Sequence, residues 1–273
     1  MKYADLHIHS SESDGSLEPK DIISMAKKEN IKCISITDHD SISSQYDLED
    51  KDIQVIPGIE FSSKYEESEI HILGYYIDIK NERLITTIKK LHNSRIERTK
   101  EIVLKLKEYN VNLDINELLL SSPTMGRGNI AEMMMKKGYI ANYKEAFTTY
   151  LAKGKSAYVE GEKLGYKEVI KLIVESGGIP VLAHPGKIYQ NIGIEKMVVE
   201  FKSYGLKGIE VYHPSHSREQ INCFYNLSKK HKLLITGGSD FHSLDKSKHS
   251  IGSYGIDEEL LNKIIDYKAQ LKK

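Results

Sequence analysis

Cysteine and tryptophan are nearly absent from the sequence. Its 273 residues include no tryptophan and only two cysteines, Cys33 and Cys223, which are isolated and form no CxxC motif. A disulfide framework and a cysteine-based metal site are therefore not expected, and two reduced thiols in a cytoplasmic protein are the simplest interpretation. No apolar run approaches the roughly 20 residues that span a bilayer. Residues 1–10 also lack the apolar stretch of a signal peptide.

An excess of charge of either sign is missing too. The 39 basic and 39 acidic side chains give a formal net charge of zero. This balance argues against extended nucleic-acid binding, which depends on many Lys and Arg side chains at phosphates. It is compatible with a small anionic substrate in one local basic pocket. No Gly-rich phosphate loop is present, which argues against P-loop nucleotide hydrolysis. Neither a membrane nor an obligate protein partner is expected.

Short apolar segments alternate with helical patterns at both ends of the chain. The length suits one large domain, or one domain with a substantial insertion. Strands are predicted at residues 3–7, 33–37, 55–60, 70–77, 179–183, 208–211 and 233–236, with helices at 19–29, 165–176, 194–204 and 217–231. This alternation favours a parallel α/β architecture, most simply a barrel, whose active site lies at the carboxyl ends of the strands.

The middle of the chain shows no strand periodicity. Helical patterns are predicted at residues 82–109, 114–120, 129–137 and 142–150. We therefore expect residues 1–81 and 159–273 to form the barrel. Residues 82–158 are expected to form an inserted helical lid domain over a site at the strand ends.

Histidines and carboxylates collect at the ends of the predicted strands. His7 and His9 are two residues apart on one strand, so their side chains share a face and can reach one metal ion. The full candidate set is His7, His9, Asp14, His39, Glu60, His71, His184, Asp240 and His242. A zinc ion takes about four ligands, so this set predicts two or three ions, with Glu60 or Asp240 bridging. Without a thiolate ligand, divalent Mn, Fe or Zn fits, and we favour manganese.

Three further carboxylates lie beside these histidines in the sequence. Asp5 precedes His7, while Asp38 and Asp40 flank His39. Metal-bound imidazoles are commonly oriented by a neighbouring carboxylate. We therefore expect Asp5 and Asp38 to orient the ligands. For Asp40, a solvated turn carboxylate is an equally good interpretation.

These motifs together resemble a known family. DLHIHS followed by SDG, TDHD, PGIE, HILGY, AHPG and GSDFH resemble the polymerase and histidinol phosphatase (PHP) superfamily of metal-dependent phosphoesterases. The inserted motifs MGRGNIA, AFTTYL and GKSAYV resemble its nucleoside 3′,5′-bisphosphate phosphatase and short-RNA exonuclease branch. The resemblance implies a distorted (β/α)7 TIM-like barrel with a trinuclear metal centre. It places His7, His9, Glu60 and Asp240 on one ion, Glu60, His71 and His184 on a second, and Asp14, His39 and His242 on a third.

The resemblance also implies a reaction. We expect hydrolysis of a nucleotide phosphomonoester, with the 3′-phosphate of nucleoside 3′,5′-bisphosphates as the first choice, by attack of a hydroxide held between two ions. Three alternatives stay open: 5′→3′ trimming of short oligonucleotides, a phosphatase of the histidinol-phosphate type, and a non-catalytic metal-binding module. The helical insertion argues against the second alternative. The complete set of ligand residues argues against the third.

Cations outside the metal ligands are candidates for phosphate recognition. Arg127 lies between two glycines, and its forked donors suit a phosphate. Lys155 and Lys187 are further candidates. His216 could donate to a phosphate or protonate the leaving oxygen, and His213 is a weaker candidate for the same role.

One position departs from the family pattern. The resembled branch has His two residues after the arginine, and this chain has Asn129. An asparagine can donate a hydrogen bond to phosphate but carries no charge and shuttles no proton at neutral pH. We expect Asn129 to substitute as a phosphate donor. Tyr158 could stack on a base, although simple packing is the more common role of a tyrosine.

Overall fold

A computed structural model of the chain describes residues 3–46, 48–121, 125–188, 193–243 and 249–271. The chain divides into two compact units, one of residues 1–85 and 164–273 and the other of residues 86–163. In the part that the structure describes, no helix is both long enough and apolar enough to cross a bilayer.

Strands and helices alternate through the first unit, and helices fill the second. The strands are β1 (Ala4–Ile8), β2 (Cys33–Ile36), β3 (Gln54–Val55), β4 (Gly58–Tyr65), β5 (Ser68–Tyr75), β6 (Leu164–Gly165), β7 (Ile179–Leu182), β8 (Gly208–Tyr212) and β9 (Leu234–Gly237). The α-helices are α1 (Pro19–Lys28), α2 (Glu82–Lys107), α3 (Ile115–Ser121), α4 (Arg127–Lys136), α5 (Tyr143–Ala146), α6 (Tyr166–Glu175), α7 (Ile194–Tyr204), α8 (Arg218–His231) and α9 (Glu258–Gln270).

The strands form two sheets. One contains β1, β2 and β3, all parallel, and the other has the order β6-β4-β5-β7-β8-β9. In the larger sheet β5 runs antiparallel to both β4 and β7. The predicted α/β class is confirmed, but the predicted all-parallel arrangement is wrong. Neither sheet closes among the described strands, so the expected TIM-like barrel is not shown. Isolated bridges join Ile8 to Phe241 and His39 to Glu60 across the two sheets.

A tight hairpin between β4 and β5 makes β5 antiparallel. The predicted strand at 55–60 is interrupted at Pro57, whose ring nitrogen has no N–H to donate to a ladder. The chain then continues as β4 to Tyr65 and returns as β5 from Ser68. Glu66 occupies the turn with φ of 51°, a left-handed conformation that glycine or asparagine usually adopts. The sequence KYEES therefore contains no ordinary hairpin signal.

Apolar strand residues and amphipathic helices make the core of the first unit. Pro19 begins α1, which buries Ile22, Ile23 and Ala26 on one face. Asn30 follows this helix with φ of 58° and ends it. This packing fixes the strands whose ends carry the histidines and carboxylates.

The second unit has its own apolar core. Ile102 and Leu106 of α2, Leu118 of α3 and Ile130 and Met134 of α4 are buried together in it. A single turn of π-helix, Phe147–Leu151, follows α5. Every regular element described in residues 86–163 is helical. That this unit acts as a lid stays a prediction.

Candidate metal centre

The predicted metal ligands all lie in the first unit, within strands or in the loops that follow them. His7 is in β1 and His9 comes directly after it, and both are fully buried. Glu60 lies in β4 and His71 pairs with Ser62 from the middle of β5. The remaining predicted ligands lie in loops: Asp14, His39, His184, Asp240 and His242. The structure therefore brings together residues that are far apart in the chain.

The Nε2 atoms of His7 and His9 each lie near the same two carboxylate oxygens. The Nε2 atoms of His7 and His9 are 3.1 Å apart. Glu60 Oε2 is 3.3 Å from each of these nitrogens, and Asp240 Oδ1 is 3.4 Å from His7 Nε2 and 3.2 Å from His9 Nε2. Two ligands that bind one ion at about 2.1 Å in roughly tetrahedral geometry lie about 3.4 Å apart. The spacing therefore fits one divalent ion held by His7, His9 and Glu60, and Asp240 lies within reach of the same two imidazoles.

Hydrogen bonding around His7 tests whether a cation belongs there. His7 Nδ1 lies 2.9 Å from Glu210 Oε1, so a neutral His7 carries its proton on Nδ1 and turns the bare lone pair of Nε2 toward the carboxylates. Glu60 Oε2 and His9 Nδ1 are buried, with no hydrogen-bond partner among the described atoms. Buried lone pairs that face one another are costly unless a cation lies between them. The donor set therefore fits a metal ion.

Glu60 faces a second group of histidines with its other oxygen. Glu60 Oε1 is 2.9 Å from His71 Nδ1 and 2.9 Å from His184 Nε2. Burial raises the pKa of Glu60, but attraction by His39, His71 and His7 outweighs burial and lowers the pKa well below its usual range. An ionised carboxylate with its two oxygens toward different imidazoles has the geometry of a bridging ligand.

Asp14 lies within a third group. Asp14 Oδ2 is 3.5 Å from His242 Nε2 and 3.9 Å from His39 Nε2. His9 Nδ1 is 3.6 Å from Asp14 Oδ1. His9 therefore joins this group, for which only Asp14, His39 and His242 were predicted. Its Nε2 atom faces His7 and Glu60, and a neutral imidazole offers one lone pair. His9 therefore contacts both the first and the third group, but as a metal ligand it can serve only one of them.

Two further buried residues, Glu210 and His213, lie beside these groups. Glu210 was not predicted from the sequence, and His213 was predicted only as a weaker candidate for substrate contact. Glu210, in the middle of β8, contacts His7 and accepts a hydrogen bond from the backbone N–H of His184 at 2.7 Å. His213 Nδ1 accepts from the backbone N–H of Ser215 at 3.0 Å. His213 Nε2 therefore carries the proton and donates to Asp240 Oδ2 at 3.1 Å. This geometry gives His213 the role of orienting Asp240, whereas the sequence suggested contact with substrate.

The carboxylates expected to orient imidazoles hold backbone groups. Asp5 accepts from the N–H groups of Ser239 at 2.9 Å and Gly252 at 2.8 Å. Asp38 accepts from the Ser10 N–H at 2.7 Å. Asp40 Oδ1 accepts from the N–H of Ser62 at 3.1 Å. These contacts fix the ligand-bearing loops, so the carboxylates act on the main chain that carries the histidines.

Two predicted substrate-binding residues lie at this edge of the unit. Lys187 Nζ is 2.7 Å from Asp240 Oδ2, and its side chain is 45% exposed. His216 accepts from the Gly186 N–H on Nε2 at 3.1 Å, which leaves Nδ1 to donate to the Val211 carbonyl oxygen at 2.9 Å. Both ring nitrogens of His216 are therefore used by the backbone. The backbone thus holds the His216 ring in place. The catalytic role predicted for His216 and the substrate contact predicted for Lys187 stay predictions.

The other predicted substrate-binding residues belong to the helical unit. The Arg127 guanidinium carbon is 5.5 Å from the Tyr158 ring centroid and 5.9 Å from the Phe147 ring centroid. Arg127 Nη1 also donates to the Leu151 carbonyl oxygen at 3.1 Å. Tyr158 thus stacks with an arginine, and its role toward a base stays a prediction. These contacts hold the guanidinium fork in one place.

Asn129 and Lys155 have simpler surroundings. Asn129 Oδ1 accepts from the Gly126 N–H at 2.9 Å and so caps the start of α4. Its NH₂ group is the part that can serve the predicted phosphate contact. Lys155 is exposed. The phosphate-binding roles of Arg127, Asn129 and Lys155 stay predictions.

Comparisons with known proteins agree with this chemistry. The family profile of the PHP domain matches residues 5–176. A 5′-3′ exoribonuclease from Haemophilus influenzae is 30% identical over 248 residues, which cover 88% of this chain and 90% of the relative. A 3′,5′-nucleoside bisphosphate phosphatase from Chromobacterium violaceum is 29% identical over 262 residues, which cover 92% and 91%. The structure of an amidohydrolase from C. violaceum, with bound sulfate and no metal, aligns with a TM-score of 0.83 at 25% identity, over 97% of this chain and 96% of that chain.

Proposed function

This chain belongs to the PHP domain family and is a metal-dependent phosphoesterase, and we propose that it removes the 3′-phosphate from nucleoside 3′,5′-bisphosphates. The observation that carries the proposal is the pair of imidazole nitrogens His7 Nε2 and His9 Nε2, which are 3.1 Å apart and lie within 3.2 to 3.4 Å of both Glu60 Oε2 and Asp240 Oδ1. Such a group binds a divalent ion, and Glu60 Oε1 extends it toward a second set of imidazoles.

Two or three divalent ions, with manganese as our first choice, are assigned to His7, His9, Asp14, His39, Glu60, His71, His184, Asp240 and His242. Bound ions of this kind lower the pKa of water to near neutrality and neutralise charge on phosphoryl oxygens. As metal ligands, the imidazoles would be neutral and would direct a ring lone pair toward the ion. Asp240 is held on its outer oxygen by His213 and Lys187.

Substrate recognition is assigned to Lys187, Arg127, Asn129 and Lys155. Lys187 lies on the rim of the metal centre, where its ammonium can meet a phosphoryl oxygen and Asp240 at once. Arg127 offers a fork that is already fixed between two aromatic rings, which suits a second phosphate bidentately. Asn129 and Lys155 complete the proposed substrate contacts.

A substrate panel tests the proposal. The full chain, loaded with Mn²⁺, is assayed for phosphate release from nucleoside 3′,5′-bisphosphates, 2′,3′- and 5′-monophosphates, histidinol phosphate and di- to pentanucleotides. We expect the highest kcat/KM for the 3′,5′-bisphosphates. Preference for histidinol phosphate, or equal rates on every monophosphate, would contradict the proposal.

A second candidate activity is 5′→3′ trimming of short oligonucleotides. It is favoured by the similarity to the H. influenzae protein named as a 5′-3′ exoribonuclease. The same panel separates the two activities, because trimming releases mononucleotides from the di- to pentanucleotides, whereas the phosphatase releases inorganic phosphate.

A further inference from the structure

Glu210 is a buried carboxylate that the nine proposed metal ligands do not include. It lies in the middle of β8 with none of its surface exposed. A buried charge needs partners that compensate for its lost hydration. Glu210 has two such partners, and both belong to residues of the metal centre: Oε1 faces His7 Nδ1 at 2.9 Å, and Oε2 accepts from the His184 N–H at 2.7 Å.

The contact with His7 decides where that imidazole carries its proton. A carboxylate accepts and does not donate, so a neutral His7 must place its proton on Nδ1. Nε2 is then bare and faces His9 Nε2, Glu60 Oε2 and Asp240 Oδ1. Without Glu210, the proton could move to Nε2, where it would block binding of a metal ion.

The contact with His184 acts on the backbone. His184 has φ of 25° and ψ of 60°, a region that residues other than glycine adopt at a cost. Its N–H is buried next to Glu210, so a single carboxylate stabilises this turn and orients the imidazole that reaches Glu60 Oε1.

We propose that Glu210 is a positioning residue that fixes the Nδ1-protonated tautomer of His7 and the turn at His184, and thereby sets the metal affinity of the centre. The proposal rests on the proposed function only in that the centre binds divalent ions. The alternative is that Glu210 is itself a ligand, since it lies within reach of His7 and His213. Against this, His213 Nδ1 is engaged with Ser215, and Nε2 with Asp240.

The test compares two matched carboxylate–imidazole pairs in the full chain. Glu210→Gln keeps the shape of the side chain, but its one oxygen serves only one of the two N–H donors. Glu195→Gln is the control, because Glu195 also faces an imidazole, His231 Nε2 at 2.8 Å, in a pair that is partly exposed. Each metal-stripped protein is titrated with Mn²⁺ by calorimetry, and bound ions are counted by elemental analysis. The ¹⁵N shifts of the His7 ring report its tautomer.

We expect Glu210→Gln to bind as many ions as the parent chain with about 10- to 100-fold lower affinity, and its His7 ring to lose the pure Nδ1–H signature. Glu195→Gln should match the parent chain in both measurements. The loss of one bound ion in Glu210→Gln would identify Glu210 as a ligand and overturn the proposal. Unchanged affinity with an unchanged tautomer would also overturn it.

Glu210→Asp supplies a second variant in case the glutamine substitution prevents folding, which circular dichroism monitors. Aspartate keeps the charge but is one methylene shorter, so it cannot reach both partners. Affinity between those of the parent chain and of Glu210→Gln supports the proposal, and parental affinity with the parental tautomer contradicts it. These readouts need no substrate. If no phosphoester is hydrolysed and Glu210→Gln still weakens Mn²⁺ binding, the proposed reaction fails while the positioning role stands.

Discussion

The two units place their functional side chains by different means. In the first unit, the ligand histidines are buried or partly buried and crowded, and Glu210 and Asp5 accept hydrogen bonds from the ring and backbone N–H groups of His7. In the second unit, Arg127 is held by aromatic rings and a carbonyl oxygen, and Lys155 is exposed. A metal centre needs ligands fixed to within a fraction of an ångström, whereas phosphate recognition by a cation tolerates more freedom. Substitutions of functional residues in the first unit should therefore lower activity more than those in the second unit.

Removal of the metal should have the largest effect. Dialysis of the full chain against a chelator should abolish phosphoester hydrolysis, because the proposed reaction relies on bound ions to make water a nucleophile at neutral pH. Mn²⁺ added back should restore the rate, as measured by phosphate release. Full activity in protein that elemental analysis shows to be free of metal would contradict the assignment of the centre.

Glu60→Gln should lower kcat/KM by at least about a thousandfold, or ~4 kcal/mol of transition-state stabilisation. The substitution keeps the shape of the side chain but removes the charge shared between two groups of imidazoles. The matched control is Glu258→Gln, an exposed first-turn position of α9, which should retain full activity. A mild effect of Glu60→Gln would rule out the bridging role.

His242→Ala should lower the bound metal by about one ion, with a larger loss of rate than of folding stability. His242 lies in the third group with Asp14 and His39, and elemental analysis with thermal unfolding measures both quantities. Because His9 also faces Asp14, the remaining ions should bind more weakly as well. A full complement of metal in this variant would show that the third group holds none.

Substitutions in the helical unit should have the smallest effects. Arg127→Ala should cost about 2 to 3 kcal/mol of transition-state binding, or roughly 30- to 150-fold in kcat/KM, since a charged bidentate donor is lost. Asn129→Ala should cost about 1 kcal/mol, and Asn129→His should keep or raise activity. The losses caused by Arg127→Ala and Asn129→Ala should be larger on 3′,5′-bisphosphates than on 5′-monophosphates.

Steady-state kinetics on the two substrate classes measures this difference, with Lys136→Ala in the last turn of α4 as the control. If Asn129→Ala abolishes turnover while Arg127→Ala is mild, the two roles are reversed.

The sequence predicted the metal centre better than the path of the chain around it. Histidines and carboxylates at the ends of apolar strands are a local pattern, and the structure brings His7, His9 and Glu60 together as that pattern indicates. The antiparallel β5 was not predictable, because Glu66 makes its turn without the glycine or asparagine that marks such turns. A hairpin of this kind depends on pairing across the sheet rather than on turn residues.

Glu210 was missed for a related reason. In the strand segment GIEV, a glutamate next to apolar residues is ordinarily a solvent-facing position. Here that face of β8 points at His7, which is 203 residues away in the chain. The predicted catalytic role of His216 stays a prediction, although its ring accepts a hydrogen bond from the backbone N–H of Gly186, which is 30 residues away in the chain. Contacts of this range leave no trace in local sequence.

The helical insertion has a consequence for how the protein is made. Glu60 and His184 meet at the metal centre although 124 residues separate them, and the whole helical unit is synthesised between the two. The ribosome synthesises the first six proposed ligands well before His184, Asp240 and His242. Contacts of such long sequence separation form slowly, because the loop between them must first be closed. Until Asp240 and His242 have been made, the centre lacks part of its proposed ligand set, so we expect activity only after the last strand, β9, has been synthesised.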